Sequence, residues 1–299
     1  METEKKTAFV AVVGRPSAGK SSLINLFCGA KVSIVSAVPQ TTRNSIRGIL
    51  NRPQGQLIFV DTPGRHSSER KFNKKLIEIS DRVLDDSDLI LYVLDSSRPP
   101  GQEEEELAVR LVPFSKRIVA AVNKIDLSSS DSERTQQFLS ERLPELSAQR
   151  CVKISCIANE GTEELLSVLF DMAEVGEPLY PEDYYTDQEI SFRVTEIIRE
   201  QAMNRLREEL PHSIYVEAAD TELRDEGRRL CVRAFIITER ESQKGMVVGA
   251  GGSMIKAIRI AAEKELNKIF EWKVDLDLRV KTAKDWRHND KILRRIMGG

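Results

Sequence analysis

The apolar run AFVAVV at residues 8–13 passes directly into Gly14-Arg15-Pro16-Ser17-Ala18-Gly19-Lys20-Ser21, and then into Ser22 and the helix-like strip SSLINLF. A strand, a glycine loop and a helix in that order fit G-x-x-x-x-G-K-[ST], which commits this part of the chain to an α/β layer with a phosphate-holding turn. The glycines let backbone N–H groups curl around a polyphosphate, and the helix N-terminus adds its dipole. Lys20 is expected to neutralise the β- and γ-phosphates, and the Ser21 hydroxyl to ligate magnesium.

The pattern downstream agrees with such a layer. LIFV (57–60), LILYVL (89–94), RIVAAVN (117–123) and CVKIS (151–155) read as further buried strands. SSLINLF, KKLIEISDRVL (74–84), EEELAVRLV (104–112) and EELLSVLFDMA (163–173) place apolar residues at helical spacing. This alternation predicts a mostly parallel sheet with helices on both faces. The acidic run Glu103–Glu106, after Pro99, Pro100 and Gly101, reads as the first turn of a helix, where carboxylates complement the dipole.

Two further motifs select the nucleotide. LIFV runs into Asp61-Thr62-Pro63-Gly64, in which the carboxylate can reach magnesium through water and the Gly64 N–H can bond a γ-phosphate. RIVAAV ends in Asn123-Lys124-Ile125-Asp126. Guanine presents two adjacent donors that one carboxylate can accept, whereas adenine would meet Asp126 with an acceptor and leave a buried charge mispaired. Asn123 is expected to fix the loop, and the Lys124 stem to lie over the ring. Three motifs in this order, each at a strand's C-terminal end, predict GTP over ATP. Gln40-Thr41-Thr42-Arg43 lies where a loop can lend a hydroxyl to magnesium, with Thr42 favoured over Thr41. Ser155-Cys156-Ile157 sits where a last loop can offer backbone N–H to the base. Lys20, Thr42 and Gly64 are the groups expected to act in catalysis.

The rhythm changes after about residue 175, which predicts one domain over 1–175, a linker over 176–186 (within GEPLYPEDYYTD) and a second domain over 187–299. A long amphipathic helix is expected over 187–208. HSIYVEAA (212–219) and RRLCVRAFIIT (228–238) read as strands separated by the turn-rich DTELRDEG. The strip GMVVG, the cluster Gly249-Ala250-Gly251-Gly252, a helix over 253–270 and the strand WKVDLDLRVK follow. Met254, Ile258, Ala262, Leu266 and Phe270 form one i+4 row on that helix. The order is α-β-β-α-α-β. Hydrophobic content of 40%, 31% charged residues and a net charge of −2 are ordinary for a globular protein and give no whole-chain signal for nucleic acid, although the last 59 residues (241–299) carry more Lys and Arg than Asp and Glu. Cys28, Cys151, Cys156 and Cys231 lack zinc-like spacing and fit a reducing compartment; Cys151 and Cys156, which bracket an apolar strip, read as small buried hydrophobes. The run AFVAVV is too short for a signal-peptide core or a membrane span, so a cytoplasmic protein without a transmembrane segment is expected.

Taken together, GRPSAGKSS, QTTR, DTPG, NKID and SCI, followed by PEDYYTD and VVGAGG, resemble the Era family of bacterial GTPases over nearly the whole chain. The resemblance implies a Ras-like P-loop GTPase domain followed by an α+β type II KH domain, with GTP/GDP and Mg2+ as cofactors. In KH domains a GxxG loop joins two helices and clamps about four single-stranded nucleotides. Gly249, Ala250, Gly251 and Gly252 have that spacing, so the second glycine loop is expected to hold RNA phosphates while the first holds GTP. The implied partners are the 3′ end of 16S rRNA and the 30S subunit, whose assembly and rRNA maturation such proteins assist. Slow intrinsic turnover and a monomer are expected, and any contact with the inner membrane would be peripheral.

The sequence departs from the family at three places. Arg65 follows DTPG where an apolar residue is usual; it either stabilises charge in cis or projects into solvent, and the solvent-facing reading is favoured. Ser17 replaces an asparagine linked to potassium binding. The KH loop lacks a cation between its glycines, so Lys244, Lys256, Arg259 and the tail residues Arg287, Lys291, Arg294 and Arg295 are either phosphate contacts or ordinary solvated surface. Two rival readings stay open: an RNA-binding module whose nucleotide site is structural, and a GTPase whose C-terminal domain contacts protein or membrane.

Overall fold

The computed structural model describes residues 4–36, 38, 41–63 and 71–296, with residues 71–75 described by backbone alone. The chain divides into two compact units, Met1–Ser33 with Thr42–Asp187, and Ile34–Thr41 with Gln188–Gly299.

The first unit is the α/β layer. β1 (Lys6–Val13) leads into α1 (Lys20–Cys28), then β2 (Ile46–Arg52), β3 (Gly55–Asp61), α2 (Lys71–Asp86), β4 (Leu89–Asp95), α3 (Gln102–Leu111), β5 (Ile118–Asn123), α4 (Ser132–Arg142), β6 (Cys151–Lys153), α5 (Thr162–Met172) and the short β7 (Glu174–Val175). The sheet runs β2-β3-β1-β4-β5-β6, with β7 pairing antiparallel to β1. Pairings from β3 through β6 are parallel, while β2 is antiparallel to β3. β4 and β5 are buried along their whole length, as strands covered on both faces must be.

β2 and α4 escape the sequence reading, as do the short β7 and, in the second unit, the short helices Leu210–Ser213 and Asp290–Ile296. β2 has Ile49 and Leu50 buried in succession beside exposed Arg47, so neither strict alternation nor a helical period marks it. α4 buries only Thr135, Phe138 and Leu139; its clearest mark is the Asp131 N-cap, which accepts the Arg134 N–H at 2.9 Å. The segment read as a linker is pinned to the first unit. The buried Gln56 accepts the N–H groups of Leu179 and Tyr180 at 2.9 and 3.0 Å and donates to the Tyr180 carbonyl. The Ile49 N–H reaches the Tyr185 carbonyl, and Arg47 pairs with Asp187 at 2.8 Å.

The second unit has α6 (Ile190–Met203), a short α7 (Leu210–Ser213), β8 (Tyr215–Arg224), β9 (Arg229–Thr238), α8 (Glu241–Val248), α9 (Ser253–Ile269), β10 (Lys273–Thr282) and α10 (Asp290–Ile296). Its sheet runs β10-β9-β8, with β10 parallel and β8 antiparallel to β9. The expected helix row holds: Ile258, Ala262 and Leu266 are fully buried in one apolar cluster that also takes in Val232, Ala234 and Ile236 of β9, with Met254 and Phe270 at the margin. The helix expected over 187–208 is shorter, closing on the Asn204 cap. GMVV belongs to the end of α8, and β8 runs on through most of the stretch expected as a turn. No single described helix is long and apolar enough to cross a membrane.

Residues 34–41 join this unit although they lie far off in sequence. Ile34 enters its core, the Val35 N–H bonds Glu200 Oε1 at 2.9 Å, and Arg199 donates to the Thr41 carbonyl at 2.6 Å. Near the C-terminal end, Trp286 is 0% exposed, donates Nε1–H to the Ser213 carbonyl at 3.1 Å and packs on Tyr215 with ring centroids 4.8 Å apart. Trp286→Ala would empty that site and orphan the carbonyl. It should destabilise the second unit by about 3–5 kcal/mol, read as a lower urea midpoint with an unchanged slope.

Candidate nucleotide and nucleic-acid sites

The phosphate loop spans the turn from β1 to α1. Its form depends on glycine where Gly14 takes φ +152° and a Cβ would lie 2.3 Å from the Val93 carbonyl oxygen of β4. Lys20 is buried and donates to the carbonyls of Gly14 and Arg15 at 2.9 Å each. Ala18 N–H closes the turn on the Arg15 carbonyl, and Ser17 adopts φ +62°. Pro16, Gly19 and Ser22 complete the loop and the start of α1. The Arg15 side chain forms ion pairs with Asp95 and Glu104, both at 2.9 Å.

At the end of β3, Asp61 is 0% exposed. Its Oδ2 accepts Ser21 Oγ at 2.7 Å and Thr42 Oγ1 at 3.2 Å, and the two hydroxyls lie 3.3 Å apart. Thr42 is thus the threonine brought to this cluster; the Thr41 hydroxyl is taken up by the Val38 carbonyl at 2.6 Å. Burial pushes the Asp61 carboxyl up and the Lys20 amine down, and their mutual attraction opposes both shifts. Asp61 Oδ1 is buried with no hydrogen bond, although the nearby Ser33 hydroxyl favours its ionised form. A buried carboxylate with one open oxygen, flanked by two hydroxyls, is an all-oxygen donor set suited to a hard cation such as magnesium. Thr62 donates its hydroxyl to the Val12 carbonyl, and the Pro63 carbonyl accepts from Ser80. Gly64 and Arg65 lie outside the described residues.

The base-side loops are tied to the phosphate loop. Asn123 Nδ2 donates to the Ala18 carbonyl at 2.8 Å, while its Oδ1 accepts the N–H groups of Lys124 at 2.8 Å and Cys156 at 3.2 Å. Ser155 Oγ donates to Asp126 Oδ1 at 2.5 Å and also accepts the Ala158 N–H, which fixes the orientation of that carboxylate. Lys124 adopts φ +69° and sends its amine to Asp95 Oδ2 at 2.7 Å. Ile157 is 88% exposed.

In the second unit, Gly249, Ala250, Gly251 and Gly252 join α8 to α9. Gly249, Gly251 and Gly252 all have positive φ, which turns the chain sharply and leaves exposed backbone at the loop. Lys256 is exposed. Lys244 pairs with Glu241 at 2.9 Å and Arg259 with Glu263 at 2.8 Å, so of the three candidate cations outside the tail two already have acidic partners. In the tail, Arg287 donates to the His212 carbonyl and faces Glu239, and Arg295 pairs with Glu217.

A family model described as a 50S ribosome-binding GTPase matches residues 9–124, and a KH-domain model matches residues 209–287. The chain is 49% identical over 287 residues to GTPase Era of Treponema denticola, covering 96% of this chain and 98% of that one. It is 44% identical to GTPase Era of Borreliella burgdorferi, covering 98% and 99%. The chain belongs to the Era family of GTPases.

Two solved Era structures superpose over 98% of this chain and 99% of theirs at 33% identity. One, a single-residue variant from Aquifex aeolicus, is bound to GDP.AlF4-, with a TM-score of 0.91; the other is in complex with MgGDPNP and nucleotides 1506–1542 of 16S ribosomal RNA, with a TM-score of 0.92. In this Era-family chain the motif residues fall where strand ends bring them together. The sequence reading missed Asp95 and Glu104, which hold Arg15. The only local signal for Asp95 was an acid closing the apolar run LILYVL.

Cys156 offers a check on the base-side loop. Burial, partly opposed by Asn123, pushes its thiol up to about 11. Thiolate therefore appears only as pH approaches that value. Alkylation of Cys156 by iodoacetamide at pH 8 should run about 100-fold slower than that of an unhindered thiol and accelerate on alkalinisation, followed by mass spectrometry of the modified peptide.

Proposed function

We propose that the protein is a GTP-hydrolysing switch that binds the 3′ region of 16S rRNA through its KH unit and assists 30S assembly and rRNA maturation in the cytoplasm. The observation that carries this reading is the convergence of Ser21, Thr42 and Asp61 beside Lys20, in a chain that also presents a glycine loop between two helices. The Era structure holding 16S nucleotides supports the choice of RNA.

In the proposed site Gly14–Ser22 wraps the phosphates with backbone N–H groups, and Lys20 swings from the loop carbonyls to the β- and γ-phosphates. Ser21, Thr42 and Asp61, the last through water, hold magnesium, which supplies charge neutralisation at the phosphate chain. Asp126, aimed by Ser155, accepts the two guanine donors, and the Cys156 and Ile157 N–H groups face the base edge. Water attacks the γ-phosphorus, the bond to the β–γ bridging oxygen breaks with its electron pair leaving on GDP, and the water proton ends on phosphate or solvent. With charge and placement as the main aids, turnover is slow. For Gly64 and Arg65, which lie outside the described residues, the roles remain proposals: a γ-phosphate contact for Gly64 and, for Arg65, either charge stabilisation in cis or the favoured projection into solvent.

The switch follows from chain connectivity. The chain passes from the second unit at Thr41, held by Arg199, to the first at Thr42, which meets Asp61. Contacts that Thr42 makes only with a γ-phosphate present therefore pull on a segment of the RNA-binding unit.

A fluorescent RNA matching the 3′ end of 16S rRNA, titrated with the protein in GDP or a non-hydrolysable GTP analogue, should bind about 10-fold tighter in the GTP form. Equal affinities would sink the switch, and no binding in either state would sink the RNA reading. The glycine loop is tested best at Gly252. Nothing lies within 4 Å of an added Cβ there, so Asp meets only the strain of φ +79°, which it bears better than most residues, whereas a Cβ on Gly249 would also meet Met254 at 2.7 Å. Gly252→Asp should keep the fold at a cost of about 1–2 kcal/mol, checked by its melting curve, and weaken the RNA complex by about 10-fold or more, because its carboxylate would face the proposed phosphate path.

A further inference from the structure

Asp95 closes β4 with its side chain 0% exposed, opposite Asn123 in the β4–β5 register. Its Oδ2 meets two cations from different loops: Arg15 Nη2 of the phosphate loop at 2.9 Å and the Lys124 amine of the base loop at 2.7 Å. Arg98 stands farther off, at 3.5 Å. Its Oδ1 is held by Ser97, through the hydroxyl at 2.5 Å and the N–H at 3.0 Å. Burial alone would push the Asp95 carboxyl up, but the Lys124 and Ser97 hydrogen bonds hold it well below the usual carboxylate range. It is therefore a full negative charge enclosed by protein. On its far side Arg15 forms a second ion pair, Nε to Glu104 at 2.9 Å, and Glu104 accepts the Gly101 N–H; both Arg15 pairs act through charge and neither has hydrogen-bond geometry.

We infer that Asp95 is a positioning residue of the nucleotide site, which ties the lysine that covers the base to the arginine of the phosphate loop and so makes base recognition and phosphate binding interdependent. The inference rests on the guanine-nucleotide reading of this site. Two bridges then join the loops. One is neutral, from Asn123 to the Ala18 carbonyl. The other is ionic, from Arg15 through Asp95 to Lys124. The ionic one bears on binding because Lys124 sits at φ +69° with its N–H tied to Asn123, so its backbone sets where the stem starts and Asp95 sets where it ends. On the other side, the Arg15 carbonyl is one of the two that seat Lys20. Neutralising Asp95 would leave two partly buried cations facing each other, and Lys124 would move off the base.

The test is a double-mutant cycle on the full chain, read as the Kd for GDP by calorimetry, with melting curves confirming the fold. Asp95→Asn and Lys124→Met should each raise Kd about 10-fold, and the double variant should stay below about 30-fold, because both remove the same arm. A double variant near the 100-fold product would show that Asp95 acts independently of Lys124 and would overturn the inference, as would a single Asp95→Asn variant with unchanged Kd. If Asp95→Asn does not fold, Ser97→Ala takes its place. It keeps the charge and frees its orientation, so its roughly 3-fold loss should vanish in the Lys124→Met background, and persistence of that loss would overturn the inference. Failure of the wild-type protein to bind GDP would instead refute the guanine-nucleotide reading itself.

Discussion

A carboxylate taken fully out of water has to be compensated, and Asp61 is such a group. Its position at the end of β3 is fixed by an unbroken parallel pairing with β1, which sets Val12 opposite it. From there the compensation recruits the first turn of α1 through Ser21, the stretch after Thr41 through Thr42, and the buried Lys20 amine. The start of α1 and the stretch at Thr42, distant in sequence, are thereby held around one charge at the end of β3. The remaining open oxygen on Asp61 is what turns a structural knot into a place for a cation and its phosphates.

The same logic repeats one strand over. β4 and β5 end side by side, and the register that pairs Asp95 with Asn123 places a carboxylate and an amide at the meeting point of the phosphate and base loops. Each has partners in both loops, one through charge and one through neutral hydrogen bonds. A parallel sheet makes this possible because all its strand ends emerge on the same edge, so residues far apart in the chain become neighbours without long connections.

The motifs that chemistry forces into short spacings were legible from the sequence: Gly14–Ser21, Asp61 and Asn123–Asp126 each appear at a strand end. So were the helices with a strong apolar row, such as α9. β2 was not, since a strand with buried neighbours on both faces loses its alternation, and α4 was not, since three buried side chains leave too faint a period. Thr42 could be favoured over Thr41, but only the folded chain shows the Thr41 hydroxyl committed to Val38. Residues 34–41 belong with the second unit because Ile34 finds its core there, a long-range fact that no local pattern carries. Asp95 was hidden for a related reason: its partners lie 80 and 29 residues away, and an acid after an apolar run has many meanings.

The second glycine loop differs from the first in what surrounds it. The phosphate loop has a buried cation, Lys20, at its centre, whereas Lys244 and Arg259 near the second loop are already matched by Glu241 and Glu263. Phosphates of a bound strand would then be met chiefly by the loop backbone, exposed at Ala250 and Gly251, with Lys256 an exposed charge on the following helix. Backbone N–H groups act over shorter distances than full charges and point in fixed directions, so they favour a strand whose phosphates have the right spacing and path. A polyphosphate, with several charges on adjacent groups, needs the first kind of loop. A single-stranded RNA, with one charge per nucleotide and a backbone that must be gripped in register, is suited to the second.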